Sequence, residues 1–285
     1  MRVPRITIML GIVALVGFVA LLLAAGYLMP YGPDHYWSDA QVIALANAIT
    51  AADSERIRKL VADGVDVNAR GKDDVTPLIW CVGENNKAAF EQLLTAGADS
   101  SRPYRWYGSI FFFLASSRRD ADWLSTCLRH GADPNLVRQG DKRTPIYGAI
   151  GSRRKENLDV LIEAGADLNY QDASGATPLV YAASLNWFDS VYYLLQAGAN
   201  YKLKTNPGNM IDGKSSGSRD LAYHLIDTTV SPQHALAGWR EKVVDWLDER
   251  GFSFEEAEKR VAESDPNAFA RWQREQEARK ARRGG

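Results

Sequence analysis

The chain has 285 residues, 46% of them hydrophobic and 24% charged, with a formal net charge of −1. That is the composition of an ordinary globular chain able to bury one sizeable core, and it excludes whole-chain disorder. The charge is unevenly placed: residues 31–270 hold 26 basic and 33 acidic residues, a net −7, whereas residues 271–285 hold six basic and two acidic.

From Ile6 to Met29 run 24 consecutive uncharged residues. At about 1.5 Å rise per residue this stretch is long enough to cross a hydrocarbon layer of about 30 Å. It is predicted to be one uncleaved span, residues 1–30 forming a membrane anchor. A cleaved signal peptide is the alternative, but its apolar centre is usually shorter, about 7 to 15 residues. Arg2 and Arg5 precede the span, and no Lys or Arg follows until Arg56. The basic flank predicts a body outside the cytoplasm, in the periplasm of a Gram-negative cell. Tyr27, Tyr31, Tyr36 and Trp37 are expected to form an aromatic belt at the outer interface.

Beyond the span one pattern recurs. Turn glycines fall at Gly64, Gly97, Gly131, Gly165 and Gly198, at intervals of 33, 34, 34 and 33. Sixteen residues before each stands a small side chain: Ala48, Cys81, Ala115, Ala149 and Ala182. A fixed period of this size marks a solenoid. The small residue lets a first helix lie close to its neighbour, and the apolar pair before each turn (Leu93-Leu94, Leu161-Ile162) is the buried face of a second helix. Thr76-Pro77-Leu78, Thr144-Pro145-Ile146 and Thr177-Pro178-Leu179 supply a cap and a first helical turn.

Together, Thr-Pro-Leu, a small residue, a second helix and Leu-Leu-x-x-Gly-Ala-Asp resemble the ankyrin repeat, convincingly over residues 38–204. The fold class is therefore expected to be an all-α ankyrin-repeat solenoid of about six repeats with hairpin loops, following one N-terminal transmembrane helix. The third unit departs, with Ile110-Phe111-Phe112 in place of Thr-Pro-Leu. The family's His is also absent, since Ile79, Phe113, Tyr147 and Val180 stand there, so its usual hydrogen bonds are expected to be missing. The solenoid is assigned to 38–253, its last repeat expanded over about 205–253 by Gly-, Ser- and Pro-rich inserts. Residues 254–285 are left as a polar capping helix or a frayed tail.

Catalytic motifs are lacking. His35, His130, His224 and His234 stand in separate segments, and no metal-ligand or phosphate-cradling motif occurs. No enzyme activity, metal, cofactor, small-molecule substrate or nucleic acid is expected, although a hydrolytic site built from the last inserts with His224 or His234 stays open as a minor reading. Cys81 and Cys127 are expected as core thiols, a disulfide being the alternative. The turn-tip acids Asp66, Asp99, Asp133 and Asp167 are read as turn-forming rather than metal-binding.

The resemblance places partner-facing positions in the finger loops and just after each first helix. Arg105, Trp106, Tyr107, Arg118, Arg119, Lys142, Arg143, Arg153 and Arg154 fall there or beside them and are the candidate protein-binding residues. Trp, Tyr and Arg dominate interface hot spots, and an acidic partner surface fits them. A single-span anchor before a short solenoid also resembles bacterial immunity proteins. The implied function is a non-enzymatic module, membrane-bound through residues 6–29, that neutralises a secreted toxin such as a type VI secretion lipase effector. An accessory, chaperone-like ankyrin protein protecting an enzyme under oxidative stress is the alternative.

Overall fold

The computed structural model describes residues 31–104, 108–117, 119–203, 220–228 and 237–283. The apolar stretch 6–29 lies outside them, and among the described residues no helix is long and apolar enough to cross a membrane. A short helix α1 (Pro33–Tyr36) precedes α2 (Ala40–Thr50) and α3 (Ser54–Ala62). Helix pairs then follow: α4 (Pro77–Gly83) and α5 (Lys87–Thr95), α6 (Ile110–Ser116) and α7 (Asp122–Arg129), α8 (Pro145–Gly151) and α9 (Lys155–Glu163), α10 (Pro178–Ser184) and α11 (Phe188–Gln196). The chain ends with α12 (Leu221–Asp227), α13 (Ala237–Asp248), α14 (Glu255–Ser264) and α15 (Pro266–Arg283). The described residues fall into two compact units, those up to 136 together with 156–164, and those of 137–155 together with 165 onward.

The periodic residues have the local roles their chemistry dictates. Each turn glycine from Gly64 to Gly198 takes a φ between 85° and 95°, the left-handed conformation that ends a second helix. At the tips, Asp66, Asp99, Asp133 and Asp167 each accept from the backbone N–H two residues on, all at 2.8 Å. Their turn-forming role is thus explicit. The small residues Ala48, Cys81, Ala115, Ala149 and Ala182 are all at most 5% exposed. Thr76 and Thr177 cap α4 and α10 by accepting from Ile79 N and Val180 N.

In the first unit, Tyr36 and Trp37 are 7% and 5% exposed and pack edge-on against Trp80 at 5.8 and 5.6 Å. The expectation of a membrane-interface belt is therefore corrected at these two positions: they bury apolar area at the first repeats. Tyr31 is 58% exposed and stacks on His35, and Tyr27 lies outside the described residues. The third pair solves its missing Thr-Pro-Leu by a one-residue shift, Ser109 capping α6 by accepting from Phe112 N. Before it, β1 (Pro103–Tyr104) and β2 (Gly108–Ser109) pair antiparallel. Asn157 of α9, 1% exposed, donates from Nδ2 to the carbonyls of Leu114, Ala115 and Ser117, closing the C-terminal end of α6. Cys81 and Cys127 are both free and fully buried, as core thiols.

In the second unit, residues 254–283 are not a frayed tail. They form the pair α14 and α15, in which Ala257, Val261, Ala268 and Trp272 are at most 3% exposed. Trp272 also donates from Nε1 to Glu258 at 2.8 Å. The excess of basic charge near the C-terminus is folded back on α13: Arg279 pairs with Asp245 and Asp248, and Arg282 with Glu241. These ion pairs tie α15 to α13.

Candidate protein-binding surface

Arg105, Trp106, Tyr107 and Arg118 lie outside the described residues. Arg119, in the first unit, is half-buried and donates to Asn85 Oδ1 at 2.7 Å, with its guanidinium 5.6 Å from the Trp123 ring centre. Burial there lowers its pKa from the ordinary arginine value.

The other candidates sit in the second unit. Lys142 is exposed at a finger tip with φ 53°, a left-handed backbone that costs a non-glycine residue roughly 1 kcal/mol or more. Arg143 points inward instead. Its Nε donates to Asp172 Oδ2 at 3.0 Å, and its guanidinium lies 4.2 Å from the Tyr181 ring centre and 5.6 Å from that of Tyr147. Burial alone would lower the Arg143 pKa, but Tyr181 and the Asp172 carboxylate together raise it. Arg153 is exposed just after α8, pairs with Asp189 at 2.6 Å and lies 5.7 Å from the Trp187 ring centre. Arg154 beside it is half-buried.

Asp172, Tyr147 and Tyr181 hold this surface together, and none was a candidate from sequence. The Asp172 side chain is 3% exposed. Its Oδ1 accepts from Ser174 N at 2.9 Å and Ala176 N at 3.1 Å, while its backbone N–H donates to the Ala176 carbonyl. One carboxylate therefore folds the finger 172–176 and neutralises Arg143 of the preceding finger. Ala173 N donates to Asp141 O at 2.9 Å, a second tie between the two fingers. Asp141 is engaged by both Arg138 and Arg143, whose attraction outweighs burial and holds its carboxyl below the usual range.

Tyr147 stands at the family's His position. Its hydroxyl lies 2.6 Å from the Ala176 carbonyl and 2.8 Å from that of Tyr170, with one proton to donate between them. The expectation of missing hydrogen bonds is corrected here: a phenol reaches the finger backbone in place of an imidazole. Tyr181 lies in the next repeat, one place beyond Val180, which holds the position equivalent to Tyr147, so the period does not mark the two rings as a pair and only the fold brings them together. A Cβ added at Gly151 would come 3.2 Å from the Tyr181 hydroxyl, so glycine there leaves the ring its seat.

Among the described residues the arrangement ties two fingers together and leaves Lys142 exposed at the tip of one. Among the described residues no group of His, Cys, Asp and Glu has the geometry to hold a metal ion. His224 sits in α12 with its ring edge-on to Tyr223, and His234 lies outside the described residues.

A family model described as "Ankyrin repeats (3 copies)" matches residues 112–205. Residues 112–205 carry ankyrin repeats. The ankyrin-repeat domain of Bcl-3, described as a unique member of the IkappaB protein family, superimposes with a TM-score of 0.55, covering 67% of this chain and 81% of that one at 22% identity. That likeness concerns the fold alone. Protein PhlB of Serratia liquefaciens is 31% identical over 144 residues, and an L-asparaginase of Dirofilaria immitis is 32% identical over 148. The chain covers 63% of the first and 25% of the second, less than two thirds of either, and each match takes in about half of this chain. The helical ankyrin-repeat part of the expected fold class is thus shown. An ankyrin scaffold is generally a protein-interaction surface rather than an enzyme.

Proposed function

We propose that the ankyrin repeats grip another protein through their finger loops and the ends of their first helices, and that the apolar stretch 6–29 tethers them to the cytoplasmic membrane with the body in the periplasm. The partner is an acidic surface of a secreted toxin, which this protein neutralises as an immunity protein. The observation that carries the binding reading is the tie between two fingers through Asp172, Arg143 and Tyr147. Fingers fixed before a partner arrives lose little conformational entropy on binding. The cationic tip at Lys142 supplies charge complementarity, which sets specificity and association rate. The tether is supported by the uncharged 24-residue stretch and by Arg2 and Arg5 before it.

The test is capture from an envelope fraction by the full chain, compared with a variant carrying Lys142→Ala, Arg153→Ala and Arg154→Ala. Loss of one acidic partner by the variant is the expected result. Equal recovery by both baits sinks the surface. Recovery of a resident envelope enzyme in place of a toxin sinks the immunity reading while leaving binding intact.

A further inference from the structure

The second unit carries a separate stripe in which cations lie on aromatic rings. On α13, Trp239, Lys242 and Trp246 are spaced by three and four residues, so they share one helix face, and Arg250 continues it in the following turn. The buried face holds Val243, Val244 and Leu247, at most 2% exposed. Lys242 Nζ stands 4.0 Å from the Trp239 ring centre, and the Arg250 guanidinium 3.7 Å from that of Trp246. Tyr192 and Tyr193 of α11 extend the stripe, each 5.7 Å from Trp239, and Lys155 lies over Tyr193 at 4.7 Å.

Charge is segregated across α13. Its acids Glu241, Asp245 and Asp248 are taken by Arg282 and Arg279 of α15. On the aromatic flank, Lys242 makes no ion pair among the described residues, and the one acid near Arg250 is the exposed neighbour Glu249 at 3.7 Å. In a body of net −7, this flank is locally cationic. Lys242 and Arg250 are both exposed above their rings, and cation–π contacts strengthen as water is removed, from about 0.5–1 to about 2 kcal/mol.

We propose that this stripe is a second interaction surface, distinct from the fingers, and that its occupant is an acidic segment of a protein. Carboxylates meet the cations while the segment's apolar atoms lie on the ring edges. A lipid surface fits less well. Insertion into a bilayer interface needs protruding aromatic rings, whereas Trp239, Trp246, Tyr192 and Tyr193 are all half-buried.

The test uses the full chain in neutral detergent, with a fluorescein-labelled oligoglutamate peptide as probe and an oligolysine peptide as control. Anisotropy is expected to report binding of oligoglutamate alone, weakening with salt. The double variant Lys242→Glu and Arg250→Glu is expected to weaken it roughly tenfold or more, since two attractive charges become repulsive. Arg56→Glu with Lys59→Glu, the same change in net charge on α3, leaves it within about twofold, as expected for charges outside the contact. Lys242→Ala alone, a smaller change at an exposed position, gives an intermediate loss and guards against misfolding of the double variant. No binding of oligoglutamate overturns the proposal, as does equal loss in the two charge variants. Lys242-dependent binding to phosphatidylglycerol vesicles without peptide binding replaces the protein segment by lipid and overturns it too. The finger variant of the preceding test leaves peptide binding unchanged, so failure of one surface is separable from failure of the other.

Discussion

Arg143 and Asp172 form a 3.0 Å ion pair in which the carboxylate is 3% exposed and the guanidinium 29%. The pair joins two fingers while the same carboxylate closes a turn, so its loss disrupts both. Asp172→Ala is expected to destabilise the fold by about 3 kcal/mol, at the lower end for breaking a buried pair because the arginine still reaches water. Arg143→Ala added to it should cost less than the separate losses combined, with a coupling of about 0.5–3 kcal/mol. Denaturant unfolding of the two single variants and the double variant measures this, and strict additivity contradicts the arrangement.

Burial pushes the Cys127 thiol up to about 12 against an ordinary 9.0, even though a hydrogen bond with Ser100 lowers it, and burial pushes Cys81 well above the ordinary value too. A raised folded pKa means that the native state holds the proton more tightly than the unfolded chain. The contribution to stability is complete below about pH 9 and is lost as pH climbs toward 12. The thermal midpoint should therefore fall over that range, less steeply in Cys127→Ala once corrected for its own cavity. At neutral pH neither thiol should react with an aromatic disulfide until guanidinium is added, when both do. Fast labelling of the native chain contradicts this.

Asn157→Leu removes the donor that closes α6 at three carbonyls. Buried acceptors left unpaired cost about 1–3 kcal/mol, and hydrogen exchange should quicken at the end of α6 before it does in α2. Uniform quickening across the chain argues against a local cap.

At Gly165 (φ 85°) a Cβ meets no atom within 4 Å, so any penalty of Gly165→Ala is conformational rather than steric. About 1 kcal/mol is expected for placing a non-glycine residue in the left-handed region, read as a small drop in midpoint with unchanged m-value. Gly151→Ala is predicted to act differently, displacing the Tyr181 ring and weakening partner capture more than stability.

Much of the repeat was legible because it rests on local chemistry. A left-handed glycine, an Asp that bonds its own turn, and Thr or Ser before a helix each need only neighbours a few residues away, and Asp133, Thr76 and Gly198 did in place what their types imply. The candidate surface was less legible. Arg143 and Lys142 are adjacent cations in sequence, yet one is drawn inward by a carboxylate 29 residues away and the other stays at the tip.

The sequence by itself determined the period, the helix pairs and the turns, because these follow from backbone preferences and hydrophobic spacing within one repeat. Only the tertiary structure decided which charges are consumed, that Tyr36 and Trp37 are core, that Tyr147 replaces an imidazole, and that residues 254–283 close the second unit as a helix pair. Those outcomes depend on contacts between side chains far apart along the chain, and burial energy and ion pairing act on distance in space, which no periodicity encodes.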